Sequence, residues 1–299
     1  MSLEIPQPNF IIIGSAKCGT TTLAKILDDH PECCFSQPKE VNFFTSNKNY
    51  SQGWDYYQQV FSHYNNEPVV GEATPAYSNR IAFPETAQRI YHFSPQMKLI
   101  YIVREPYQKF LSMWKMEHRA AVLFADSKNV TIDYNALAGL NAYFDNVYYG
   151  DKLRTCCFYF QLQAYLDLFP ADHIYIVFLE DLKKDINHEM TRICKFLEIN
   201  PEKLVIQNEE GENRGDRLHQ ETLLWRFLRQ SSLKLLLKPL ANSSIRKTLY
   251  RFFGRNQFQN PEEQLTEENM ERFREMVHQD ALRFLDYCDK PQDFWKSLS

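Results

Sequence analysis

The chain lacks the residue patterns that would tie its chemistry to a metal or a membrane. Its seven cysteines, Cys18, Cys33, Cys34, Cys156, Cys157, Cys194 and Cys288, include no C-x-x-C pair, and no Cys/His cluster has zinc spacing. Their number is odd and two pairs are vicinal, so a disulfide framework is not expected. Reduced thiols in a cytoplasmic protein are the plain expectation. No apolar run approaches the roughly 20 residues of a membrane span. The segment from Met1 to Pro8 is polar and proline-punctuated, unlike a signal peptide. A cytoplasmic location is expected, unless the sequence was trimmed from a membrane-anchored protein. Charge of one sign is also missing: 34 Lys and Arg against 38 Asp and Glu leave a net charge of −4. That gives no reason to expect a nucleic acid polymer or a membrane surface as partner, although a local basic cleft is compatible with it. Internal repeats and low-complexity segments are absent. What is present is core material: 299 residues, 44% apolar and 14% aromatic, enough for one large domain or two small ones.

One stretch organises the rest. Phe10 to Ile13 is a short apolar run rich in β-branched residues, suited to a buried strand. Gly14-Ser15-Ala16-Lys17-Cys18-Gly19 follows, then Thr20, Thr21 and Thr22, then a helical pattern at Leu23, Ile26 and Leu27. Strand, glycine-bounded loop and helix N-terminus form a phosphate cradle, because the first N–H groups of the helix point outward without partners. The spacing is G-x-x-x-x-G, as in a P-loop, but Thr20 stands where the P-loop lysine belongs. A lysine sits inside the loop instead, at Lys17.

Further strands are expected at 68–73, 98–103 and 173–178, with helices near 50–64, 85–92, 106–114, 158–169 and 189–197. Gln37 to Phe44 reads as a loop leading into a short strand, and 125–146 as a polar, weakly patterned insertion or lid. The part after residue 200 is helical in pattern, with a turn-rich segment around Arg214, Gly215 and Arg217. Alternating strands and helices predict an α/β fold: an open parallel sheet with flanking helices, a P-loop-like loop and a helical C-terminal part. Ligands of such sheets lie at the carboxyl ends of the strands. There the Gly14–Thr22 cradle would meet Arg104, which ends the strand 98–103, with Ser112 eight residues beyond, and a loop bearing Arg214 and Arg217. A Mg-nucleotide site would want the lysine after Gly19 and an acid ending a second strand. Arginine at that position points instead to a metal-independent nucleotide with an extra phosphate.

These motifs together resemble the PAPS-dependent sulfotransferases, particularly the branch of the heparan sulfate enzymes and their bacterial small-molecule relatives. The matching segments are Ile12-Ile13-Gly14-Ser15-Ala16-Lys17-Cys18-Gly19-Thr20, His30-Pro31, Lys39-Glu40-Val41-Asn42-Phe43-Phe44, Gly53-Trp54, Thr74-Pro75-Ala76-Tyr77 and Ile102-Val103-Arg104-Glu105-Pro106 with Ser112. The resemblance implies one sulfotransferase domain over 1–299, with an α/β nucleotide-binding core at 8–200 and a mainly helical cover at 201–299. It implies that Ser15 through Thr22 hold the 5′-phosphosulfate of PAPS (3′-phosphoadenosine 5′-phosphosulfate). It assigns the 3′-phosphate to Arg104 and Ser112, with Arg214, Gly215 and Arg217 as further nucleotide contacts and no metal. Lys17 would stabilise the leaving oxygen. Glu40 would be the general base; otherwise it is an exposed loop carboxylate paired with Lys39. His118 and Glu72 are the other candidates for the base, Glu72 alternatively orienting a loop.

The chain departs from the heparan sulfate 3-O-enzymes where they carry histidine and aspartate, having Asn42 and Thr45, and has Ala16 and Ala73 where they carry basic residues. A small molecule or simple glycan is therefore the expected acceptor, giving 3′,5′-ADP and a sulfated product, with natural-product tailoring enzymes as plausible company. Two other classes stay open: a P-loop kinase or NTPase with a displaced lysine, and a non-catalytic nucleotide-binding protein of the same fold.

Overall fold

Apolar strands alternate with amphipathic helices from Phe10 onward, and the computed structural model describes residues 7–124, 136–206, 219–220, 256–257 and 263–298. The chain divides into two units, one of Met1–Met113, Phe144–Asn208 and Leu265–Ser299, the other of Trp114–Tyr143 and Glu209–Gln264.

The first unit holds the sheet. Its strands are β1 (Phe10–Gly14), β2 (Cys33–Phe35), β3 (Val69–Ala73), β4 (Lys98–Val103) and β5 (Ile174–Phe178), in the order β2-β3-β1-β4-β5. All neighbours pair in parallel, with Phe10 opposite both Gly71 and Lys98. Parallel pairing brings every carboxyl end to one edge, where Gly14, Ala73 and Val103 lie side by side. In chain order the helices begin with α1 (Thr20–Asp28), α2 (Asn47–Tyr50), α3 (Gly53–Gln59) and α4 (Thr86–Phe93). They continue with α5 (Pro106–Phe124), α6 (Leu140–Val147), α7 (Asp151–Arg154) and α8 (Phe158–Leu166), then α9 (Leu179–Lys184), α10 (Ile186–Leu197) and α11 (Glu267–Tyr287).

Apart from Lys98, strands β1 to β4 are buried on both faces, as their unbroken apolar runs require. On one face Phe10, Ile12, Ile100 and Ile102 pack with Leu23 and Leu27 of α1 and Ile193 of α10. On the other, Tyr101 meets Phe158 and Phe284, and Phe284 stacks on Trp295 at 5.9 Å. The alternation of Ile100, Tyr101 and Ile102 between faces follows the two-residue period of a strand. Full burial of such a side chain stabilises by about 1.5–3 kcal/mol, so this sandwich fixes the sheet edge that carries the loops.

The second unit contains residues 114–124 of α5, where the Trp114 indole N–H donates to the Ala136 carbonyl at 3.2 Å. Glu263 accepts from the Leu140 N–H at 2.5 Å, and two residues at His219–Gln220 pair antiparallel with Asn256–Gln257.

Two expectations need correction. The short strand lies before the Gln37–Phe44 stretch, at Cys33–Phe35, and that stretch is itself a loop. Pro38 and a left-handed Asn42 (φ 54°) break its extension, and Phe43 turns down to stack on Tyr57 at 4.6 Å. The polar stretch 125–146 is not uniformly irregular: 125–135 fall outside the described residues, but α6 begins at Leu140. Its buried residues Leu140, Tyr143, Phe144 and Val147 follow helical spacing that the sequence displays. The segment with Arg214, Gly215 and Arg217 and the pattern at 221–255 also lie outside the described residues. Among the described residues no helix is long and apolar enough to cross a membrane.

Candidate functional site

The loop after β1 takes its shape from its backbone. Gly14 leaves the strand at φ +149°, and a Cβ there would lie 2.2 Å from the Ser78 hydroxyl. The Ser15 N–H donates to the Ile102 carbonyl at 2.7 Å, which pins the loop to β4. Lys17 (φ 67°) and Gly19 (φ 102°) are left-handed, a conformation that costs glycine little and lysine more. A Cβ on Gly19 would meet Leu179 at 2.9 Å. These reversals turn the chain into α1, whose first intrahelical bond runs from the Leu23 N–H to the Gly19 carbonyl at 3.1 Å. By helix geometry the N–H groups of Thr20, Thr21 and Thr22 have no carbonyl behind them. No side chain caps this end and its first turn holds no acid. The helix dipole therefore faces outward uncompensated, a setting that favours an anion.

The candidate residues of the loop divide by exposure. Ala16 and Thr21 are exposed and Lys17 and Thr22 half-buried, whereas the side chains of Ser15, Cys18 and Thr20 are buried. The Cys18 thiol donates to the Ala16 carbonyl at 3.6 Å, and burial pushes its pKa up to about 12, so it stays a neutral thiol. Arg104, at the end of β4, donates to the Lys17 carbonyl at 3.2 Å, so a second cation stands against the same loop. Ser112 is half-buried on α5.

The neighbouring loop carries Glu40. Its base is fixed by the buried Ser36 hydroxyl, which faces the Pro38 and Lys39 carbonyls at 3.0 and 3.1 Å, and by the Ala73 N–H donating to the Lys39 carbonyl at 3.4 Å. The Lys39 ammonium donates to Glu40 Oε1 at 3.2 Å and to the Thr21 hydroxyl at 3.3 Å. The Glu40 side chain is 52% exposed and, through Lys39, is joined to the first turn of α1. The pairing of Glu40 with Lys39 is visible in the sequence; the bond to Thr21 is not, because its partner comes from another element. Glu72 is fully buried on β3 and does not reach the mouth of the site. It accepts from Tyr57 at 2.9 Å, Thr74 at 2.6 Å and Tyr77 at 2.7 Å, contacts that no local motif announces. Burial raises its pKa to about 7, against the pull of those hydrogen bonds. His118 belongs to the second unit, where its Nδ1 lies 2.8 Å from the Ala136 carbonyl.

A cradle of this kind at a parallel sheet edge can hold a diphosphate-like group, with one arginine and one carboxylate against it. Comparison with known proteins agrees. The family described as the sulfotransferase domain matches residues 7–284. The membrane-associated sulfotransferase kil1 of Dictyostelium discoideum is 38% identical over 110 residues, 36% of this chain and 22% of that protein. The heparan sulfate glucosamine 3-O-sulfotransferase 5 of Mus musculus is 27% identical over 198 residues, 65% of this chain and 54% of that protein. The chain thus spans about half or less of the length of these two relatives. Among solved structures, a sulfotransferase from Alicyclobacillus acidocaldarius shares the fold with a TM-score of 0.61 at 18% identity, over 98% of this chain and 100% of that one.

Proposed function

The chain belongs to the sulfotransferase family, and from that premise we propose that it moves the sulfuryl group of PAPS to a hydroxyl or amine of a small-molecule or simple glycan acceptor. The observation that carries the proposal is that an arginine and a carboxylate are tied to one anion-receptive segment. Arg104 reaches it at the Lys17 carbonyl, and Glu40 reaches it through Lys39 at Thr21.

PAPS supplies an activated sulfuryl group whose S–O bond to the 5′-phosphate breaks as a bond to the acceptor forms, releasing 3′,5′-ADP. Lys17 and the N–H groups of Gly19 to Thr22 would hold the 5′-phosphosulfate, with the lysine charge stabilising the leaving oxygen. Arg104 and Ser112 would hold the 3′-phosphate, with Arg214, Gly215 and Arg217 as further proposed contacts. Glu40 would remove the acceptor proton, and Lys39 would keep its carboxylate beside α1.

The loop also bears on the acceptor. Asn42 donates to the Glu40 carbonyl at 3.3 Å and Thr45 to the Asn42 carbonyl at 3.2 Å, so both side chains serve the turn itself. They stand where the heparan sulfate 3-O-enzymes present groups to an anionic polymer, which supports a smaller and less charged acceptor. The family match over 7–284 supports treating the chain as one catalytic domain. The seven free thiols are in keeping with a reducing, cytoplasmic compartment. The test is a thermal-shift titration with 3′,5′-ADP followed by an acceptor screen with PAPS. Stabilisation by 3′,5′-ADP and formation of a sulfated product are expected; no binding of 3′,5′-ADP would sink the proposal.

A further inference from the structure

The Glu72 carboxylate collects the backbone of the loop that carries Glu40. The Val41 N–H hydrogen-bonds to it directly. The Asn42 N–H donates to Thr74 Oγ1 at 3.2 Å, and that hydroxyl donates to Glu72 Oε2 at 2.6 Å. The Phe44 N–H donates to the Tyr77 hydroxyl at 3.4 Å, which donates to Glu72 Oε1 at 2.7 Å. Tyr57, on α3, adds a further donor at 2.9 Å. Thr74 and Tyr77 each have one proton, and each already accepts from the backbone, so each passes its proton on toward Glu72. Every relay must therefore end on a pure acceptor. An ionised carboxylate is one; an amide or a protonated acid is not. Four donors on one buried carboxylate offset much of its desolvation, whereas losing the acceptor would orphan several buried groups together.

We propose that Glu72 is the positioning residue of this site: its ionised carboxylate, under the loop, fixes residues 41–44 and thereby aims Glu40 at the first turn of α1. The catalytic half of this statement rests on the sulfuryl-transfer reading of Glu40; the anchoring half does not. The titratable groups facing Glu72 are Tyr57 and Tyr77, both kept neutral by burial and by the carboxylate itself. Burial brings the Glu72 pKa to about 7, so the carboxylate is ionised above neutrality, where the test is made.

Hydrogen–deuterium exchange of the full chain, read by mass spectrometry, tests this without an acceptor. At about pH 8, Glu72→Gln should raise exchange about tenfold in peptides covering 41–44 while peptides covering β1 and α1 keep the wild-type rate. Unchanged exchange at 41–44 would overturn the proposal. If Glu72→Gln fails to fold, Tyr77→Phe removes only the Phe44 relay and carries the same test: faster exchange there supports it, and unchanged exchange overturns it. A parallel titration with 3′,5′-ADP separates the two halves. Wild-type chain that does not bind 3′,5′-ADP overturns the catalytic role while the exchange result still decides the anchoring. Binding within about twofold of wild type in Glu72→Gln, with the loop loosened, supports both.

Discussion

The loop at 14–22 and the loop at 37–45 sit at the same sheet edge and are held in opposite ways. The first is stiffened by its own backbone: left-handed Lys17 and Gly19, and a Ser15 N–H clamped to β4. The second is held from beneath by side chains of other elements, namely Tyr57, Glu72, Thr74 and Tyr77. The difference follows from what each must present. An anion cradle needs fixed N–H groups, which a local turn and a helix start can supply. A carboxylate proposed as base must stay exposed to its acceptor; Glu40 is exposed, and its position is set by its backbone and by Lys39. Lys39 bonds to both loops, at Thr21 and Glu40.

If the loops divide the work in this way, variants should separate them. The largest effect is expected for Glu40→Gln: turnover with any identified acceptor should fall about 10²–10⁴-fold while 3′,5′-ADP affinity holds. Unchanged turnover would move the base role to His118. Lys17→Ala should cost about 10²–10³-fold in the transfer step, measured as single-turnover release of 3′,5′-ADP. Near-wild-type turnover would remove Lys17 from the leaving oxygen. Arg104→Ala should weaken 3′,5′-ADP about 10–100-fold in calorimetry and 5′-AMP far less; equal losses would deny the 3′-phosphate role. Cutting the joint with Lys39→Met should lower kcat about tenfold and leave nucleotide affinity near wild type. A loss confined to nucleotide binding would assign Lys39 to the first loop alone.

The smallest effect is on stability. Burial raises the Glu72 pKa from the ordinary 4.5 to about 7, so between those values the folded chain binds more protons than the unfolded one. The Glu72 contribution to stability is therefore fully present at low pH and declines as pH rises through about 7. The wild type should lose about 1–3 kcal/mol relative to Glu72→Gln over that range, read from urea unfolding at fixed pH values. An invariant difference would mean that Glu72 is not titrating in that range.

The same contrast explains what the sequence disclosed. Gly14, Lys17, Gly19 and the threonines are contiguous, and their chemistry is local, so strand, loop and helix start were readable together. Arg104 was readable because it ends an apolar strand, and the parallel sheet brings that end beside Gly14. Glu40 stood in a recognisable motif, yet the loop was expected to lead into a strand, because its apolar Phe43 and Phe44 look extended until Asn42 turns left-handed. Glu72 gave no decisive sign. Its partners are spread from Val41 to Tyr77, and only the fold brings three hydroxyls and a backbone N–H onto one carboxylate. Helix α6 was missed for a simpler reason: four apolar residues at helical spacing lay inside a polar stretch.

The central proposal is that the loop at 14–22, with Arg104, holds a nucleotide with a 3′-phosphate and a 5′-linked sulfuryl group, which Glu40 of the second loop faces. Calorimetric titration of the full chain with 3′,5′-ADP in EDTA, set against ATP with Mg²⁺, tests it most directly. The account predicts metal-independent binding of 3′,5′-ADP, about tenfold or more tighter than ATP with Mg²⁺. Tighter binding of ATP, dependent on Mg²⁺, would contradict it.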